Sequence, residues 1–79
     1  MNTSNWKKTK KEIIKNFKFT NFKKAIDFVN KVGEIAEKLN HHPDIKIYNY
    51  NQVELKLSTH DTKSVTEQDY KLANEIDKI

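Results

Sequence analysis

Three histidines occur in the 79-residue chain, and all lie in one stretch, LNHHPDIKIYNYNQVELKLSTHD, residues 39–61. His41 and His42 are adjacent, and His60 follows an alternating run. Imidazole both gives and takes protons near neutral pH, so the cluster points to acid-base work. Three readings of it compete. In the first, His41 and His42 close a helix, where imidazolium interacts well with terminal carbonyls, and His60 is an ordinary surface residue. In the second, three imidazoles hold zinc with one position open. Adjacent side chains diverge along a backbone, however, and neither an HExxH motif nor a helical i, i+4 pair is present, so no metal is expected. The third is an acid-base site without cofactor or nucleophile, formed where a helix and a strand both end.

The elements that must position these residues can be read from periodicity. Phe22, Ala25, Ile26, Val29, Val32, Gly33, Ala36 and Leu39 follow the i, i+3, i+4, i+7 rule of an amphipathic helix. Thr20 or Asn21 can cap its start, and Pro43 opposes continuation past His42. The histidine pair therefore sits at a helix terminus. Val53, Leu55 and Leu57 alternate with Gln52, Glu54, Lys56 and Ser58, the period of a strand with one buried face. Ile45 and Ile47 begin another strand before the Tyr48-Asn49-Tyr50-Asn51 bend, and His60 and Asp61 stand at the far strand end. Upstream, KEIIKNFKF places Ile13, Lys15, Phe17 and Phe19 on one side of a further strand. Trp6 precedes it on a short partner strand, although KKTKKE holds none of the Asn-Gly or Asp-Gly pairs that favour tight hairpins. Thr66 and Asp69 open a last helix in the manner of a capping box, with Val65 and Tyr70 as its staple and Leu72, Ala73 and Ile76 as its core stripe. The expected fold is α+β: an antiparallel sheet of about four strands with helices packed on one face.

Bulk composition sets the remaining bounds. One domain spanning residues 1–79 is expected, with a small core, since short chains bury less of their surface. A partner subunit would cover apolar surface that one protomer leaves open. There is no cysteine, hence no disulfide, thiolate metal site or thiol nucleophile. Neither a signal peptide nor a membrane span is visible, which gives a soluble, cytoplasmic expectation. The net charge is +4, but all fifteen basic residues are lysine. Without the guanidinium fork that reads guanine or clamps phosphate, the lysines are read as a solvated face rather than a nucleic-acid surface.

One spaced pattern is more specific: Glu37, three residues, His41-His42-Pro43, six residues, Tyr50, nine residues, His60, eight residues, Asp69. It closely resembles the signature of the pterin-4a-carbinolamine dehydratases, and the resemblance runs from Trp6 through Phe17-Lys18-Phe19 to Leu72-Ala73 and Ile76-Asp77. Membership implies a hydro-lyase that removes water from a 4a-hydroxytetrahydropterin to give the quinonoid dihydropterin, recycling a tetrahydrobiopterin-type cofactor. It also implies a homodimer or homotetramer. By resemblance, His41, His42 and His60 are the catalytic residues: His41 and His60 transfer protons at the two faces of C4a, and His42 holds the pterin and tunes its protonation. Asn40, Ser58, Thr59 and Asp61 match positions lining the pterin, and Glu37, one turn before His41, is placed to orient an imidazole. The chain departs from the family's pattern in reading Thr62-Lys63-Ser64-Val65 where glycines are frequent, and Ile45 where animal members carry tryptophan. The alternative is a non-catalytic role as a protein-binding or dimerisation cofactor of a transcription regulator, since fold similarity does not transfer a partner.

Overall fold

Val53, Leu55 and Leu57 are each wholly buried, while Gln52, Glu54 and Lys56 between them are only half-buried. One face of this strand is covered and the other is open, as a period of two requires. The computed structural model describes residues 6–59 and 64–79. Its elements are β1 (Lys7–Lys8), β2 (Ile13–Lys18), α1 (Phe22–Leu39), β3 (Asp44–Tyr48), β4 (Gln52–Leu57) and α2 (Glu67–Asp77). The strands form one antiparallel sheet in the order β1-β2-β4-β3. Ile13 lies opposite Leu57 and Phe17 opposite Val53, with Ile47 on the other side of Val53. Both helices pack against the sheet, and Ala25, Phe28 and Val32 of α1 join Leu72, Ala73 and Ile76 of α2 over its covered face. The α+β expectation holds.

Local chemistry explains each join. The β1–β2 hairpin has no glycine because Thr9 builds the turn: its hydroxyl accepts from the amides of Lys11 and Glu12 at 3.3 and 3.1 Å. Its amide donates to the Glu12 carbonyl at 2.9 Å. Of the two candidate caps for α1, Asn21 is the one used, its Oδ1 accepting from the Lys24 amide at 2.8 Å. Three residues separate the paired Tyr48 and Gln52, with Asn49 and Tyr50 at φ 47° and 56°. Asn51 closes this turn on β2 by donating its side-chain amide to the Phe19 carbonyl at 2.9 Å and accepting the Phe19 amide on its own carbonyl at 2.8 Å.

The buried stripe of α1 differs from the expected one. Ala25, Phe28, Val32 and Ala36 are buried, whereas Phe22 is 53% exposed and Ile26 only half-buried. The covered face is thus rotated from the expected one. An apolar flank of Phe22, Ile26, Val29 and Gly33, at i, i+4, i+7 and i+11, is left beside it. Among the described residues, no helix is long and apolar enough to cross a membrane.

Candidate functional site

At the end of α1 the chain turns sharply. Asn40 adopts a left-handed conformation, φ 50°, and donates its amide back to the carbonyls of Ala36 and Glu37. Asparagine tolerates this region better than most residues, and Pro43 prevents the helix from resuming. His41 then donates its amide to the Ala36 carbonyl at 3.1 Å, which turns its side chain into the protein rather than out to solvent. The residue is 8% exposed, and its Nε2 lies 2.5 Å from Oδ1 of Asp69.

Asp69 is the centre of the arrangement. It is 0% exposed, in the first turn of α2, where the helix dipole favours negative charge. A buried carboxylate is costly unless its oxygens are paired. Here they are. Oδ1 meets His41, and Oδ2 accepts from the Thr66 amide at 2.9 Å and the Thr59 hydroxyl at 3.0 Å. The hydroxyls of Thr59 and Thr66 are 2.7 Å apart. Among the described residues, no buried side-chain nitrogen or oxygen lacks a partner. One carboxyl group thus ties together the end of α1, the end of β4 and the start of α2.

His42 points elsewhere. Its Nε2 lies 2.5 Å from Oε2 of Glu37, with side chains 55% and 77% exposed. Glu37 therefore orients an imidazole, and the imidazole is that of His42; the residue a turn after it, His41, takes Asp69 instead. Asn40 is exposed at the helix cap, and Ser58 and Thr59 are half-buried. The Thr59 amide donates to the Ser64 carbonyl at 2.9 Å. His60 and Asp61 lie outside the described residues, as do Thr62 and Lys63 of the departing loop. Among the described residues, no three His, Cys, Asp or Glu side chains gather as a metal would need. A groove of about 390 Å³ lined by Phe17, Phe28, Lys24 and Ile76 opens toward the other end of α2 and holds none of these residues.

Asp69 is the residue whose part in the site was not apparent from helical or strand periodicity. Its signals were two: it closes the spaced histidine pattern, and it sits three residues after a threonine cap. Both locate the acid, but neither reveals that its second oxygen takes an imidazole from 28 positions away.

The chain belongs to the pterin 4 alpha carbinolamine dehydratase family, whose model matches residues 1–79. A protein of Sulfolobus acidocaldarius with the provisional name pterin-4-alpha-carbinolamine dehydratase is 46% identical over 74 residues, covering 94% of this chain and 80% of its own. A protein of Picosynechococcus sp. with the same provisional name is 49% identical over 74 residues, covering 94% and 79%. Among solved structures, a transcriptional coactivator/pterin dehydratase from Brucella melitensis superposes with a TM-score of 0.86 at 36% identity, over 95% of this chain and 81% of that one. A pterin dehydratase-like RuBisCO assembly factor of the alpha-carboxysome superposes with a TM-score of 0.73 at 18% identity, over 92% and 83%, and so shares the fold.

Proposed function

We propose that the chain dehydrates a 4a-hydroxytetrahydropterin to the quinonoid dihydropterin by histidine acid-base catalysis. The observation that carries the reading is the buried His41-Asp69 pair at the end of α1, beside the strand end that leads to His60. A sequestered imidazole with a fixed carboxylate partner is suited to proton transfer, not to closing a helix in solvent. The chemistry is redox-neutral. The C4a–O bond breaks as an acid protonates the departing hydroxyl, the N5 proton passes to a base, and an N5=C4a double bond forms with release of water. His41 and His60 fill the acid and base roles, and His42, held by Glu37, contacts the pterin. Asn40, Ser58, Thr59 and Asp61 line the ring, in part through main-chain groups. The test is dehydration of a synthetic 4a-hydroxytetrahydropterin by the purified protein, which should exceed the uncatalysed rate.

Self-association in the cytoplasm belongs to the same reading. It is supported by the exposed Phe22 and Ile45, 53% and 38%, and by the outer edge of β3, which pairs with no strand among the described residues. A second reading, a non-catalytic protein-binding role, is favoured by the name of one structural relative, a transcriptional coactivator/pterin dehydratase. It predicts that His41→Ala leaves partner binding intact.

A further inference from the structure

We infer that Asp69 is a positioning residue that fixes the tautomer of His41, holding the proton on Nε2 so that Nδ1 is the nitrogen that exchanges protons with substrate. The second half of this statement rests on the dehydratase reading above; the first does not.

An ionised carboxylate can only accept hydrogen bonds. Oδ2 of Asp69 already accepts the Thr66 amide at 2.9 Å, a backbone donor whose direction cannot reverse. It also takes the single hydroxyl proton of Thr59 at 3.0 Å. Because that proton is committed, the 2.7 Å contact between the two threonine hydroxyls is made by Thr66 donating to Thr59. A directed chain therefore runs from Thr66 through Thr59 to Asp69. At Oδ1 the partner is Nε2 of His41, 2.5 Å away, and Nε2 must bring the proton. Neutral imidazole then has its free lone pair on Nδ1.

The isosteric Asp69→Asn variant should reverse this. Its side chain has one accepting oxygen, and the Thr66 amide claims it. The NH₂ group then faces His41, Nε2 must accept, and the ring proton moves to Nδ1. A carboxylate that selects a histidine tautomer acts in the same way in serine hydrolases, where the corresponding amide substitution leaves geometry intact and the wrong nitrogen protonated.

The experiment is a long-range ¹⁵N–¹H correlation spectrum of the labelled, ligand-free protein at a pH where the ring is neutral, with His41 assigned from the signals lost in His41→Gln. Wild-type protein should show the Nε2–H form, and folded Asp69→Asn the Nδ1–H form. Wild-type His41 as Nδ1–H, or an Asp69→Asn variant still Nε2–H, overturns the inference. If the variant does not fold, the wild-type spectrum decides alone. With the pterin substrate, Asp69→Asn should lower kcat on the order of 10²-fold or more while KM changes a few-fold. A correct tautomer in a protein without dehydratase activity would overturn the proposed reaction and leave the positioning role standing.

Discussion

Trp6 and Asp77 are 71 positions apart, and the indole N–H of one lies 3.2 and 3.1 Å from the two carboxylate oxygens of the other. Lys15 Nζ reaches the same carboxylate at 2.9 Å. An acid in the last turn of a helix opposes the dipole, and these two donors offset it. The last turn of α2 is thereby fastened to the sheet, while Asp69 fastens its first turn to the site.

Separate fastenings predict separable effects. Trp6 is 3% exposed, so Trp6→Phe keeps most of the packing and removes the charge-assisted hydrogen bond. Stability should fall by about 1–3 kcal/mol in urea denaturation. Dehydratase activity per folded molecule should stay at the wild-type level, and a matching loss of kcat would contradict the separation.

Asn40 holds φ 50° at the turn into His41. Alanine there should cost about 1–2 kcal/mol, the penalty of the left-handed region for a residue with a Cβ, whereas glycine should be tolerated. Because the pterin contact proposed for Asn40 includes main-chain groups, Asn40→Gly should also keep most of its activity. Thermal unfolding and steady-state kinetics on the two variants check both statements.

Glu37 and His42 form an exposed pair, which seldom contributes more than about 1 kcal/mol. Glu37→Gln should therefore leave the melting temperature nearly unchanged. If His42 contacts the pterin, the variant should raise KM more than it lowers kcat. An equal fall in kcat and kcat/KM would instead give the pair a role in the chemical step.

Gly33 sits within α1, and a Cβ built on it meets nothing within 4 Å. Gly33→Ala should stabilise the protomer by about 1 kcal/mol through helix propensity alone. Denaturation at high dilution measures this, and a destabilised variant would show that something packs against the helix there.

Much of this architecture was legible because periodicity is a local property. The alternation of residues 52–58 gave β4, the helical spacing with Thr20 or Asn21 as cap gave α1, and Thr66 with Asp69 gave the start of α2. The hairpin at Thr9 was harder to read, since a side-chain hydroxyl makes a turn that glycine pairs usually mark. The stripe on α1 came out rotated. Phe22 and Ile26 satisfy the helical period as well as Ala25 and Phe28 do, and only the packing of α1 on the sheet and α2 decides which flank is covered. For the site, the spaced pattern located His41, His42, Glu37 and Asp69, but their pairing was not legible. Glu37 is four positions from His41 and five from His42, the nearer one being the expected partner, but the helix cap turns His41 inward and leaves His42 in solvent beside Glu37.

The proton-donor and proton-acceptor roles proposed for His41 and His60 are tested by the dehydration rate of a 4a-hydroxytetrahydropterin with wild-type protein and with the His41→Ala, His60→Ala double variant. Wild-type protein should accelerate the reaction, and the folded double variant should lose on the order of 10²–10⁴-fold in rate. A double variant that turns over as fast as wild type would contradict the account.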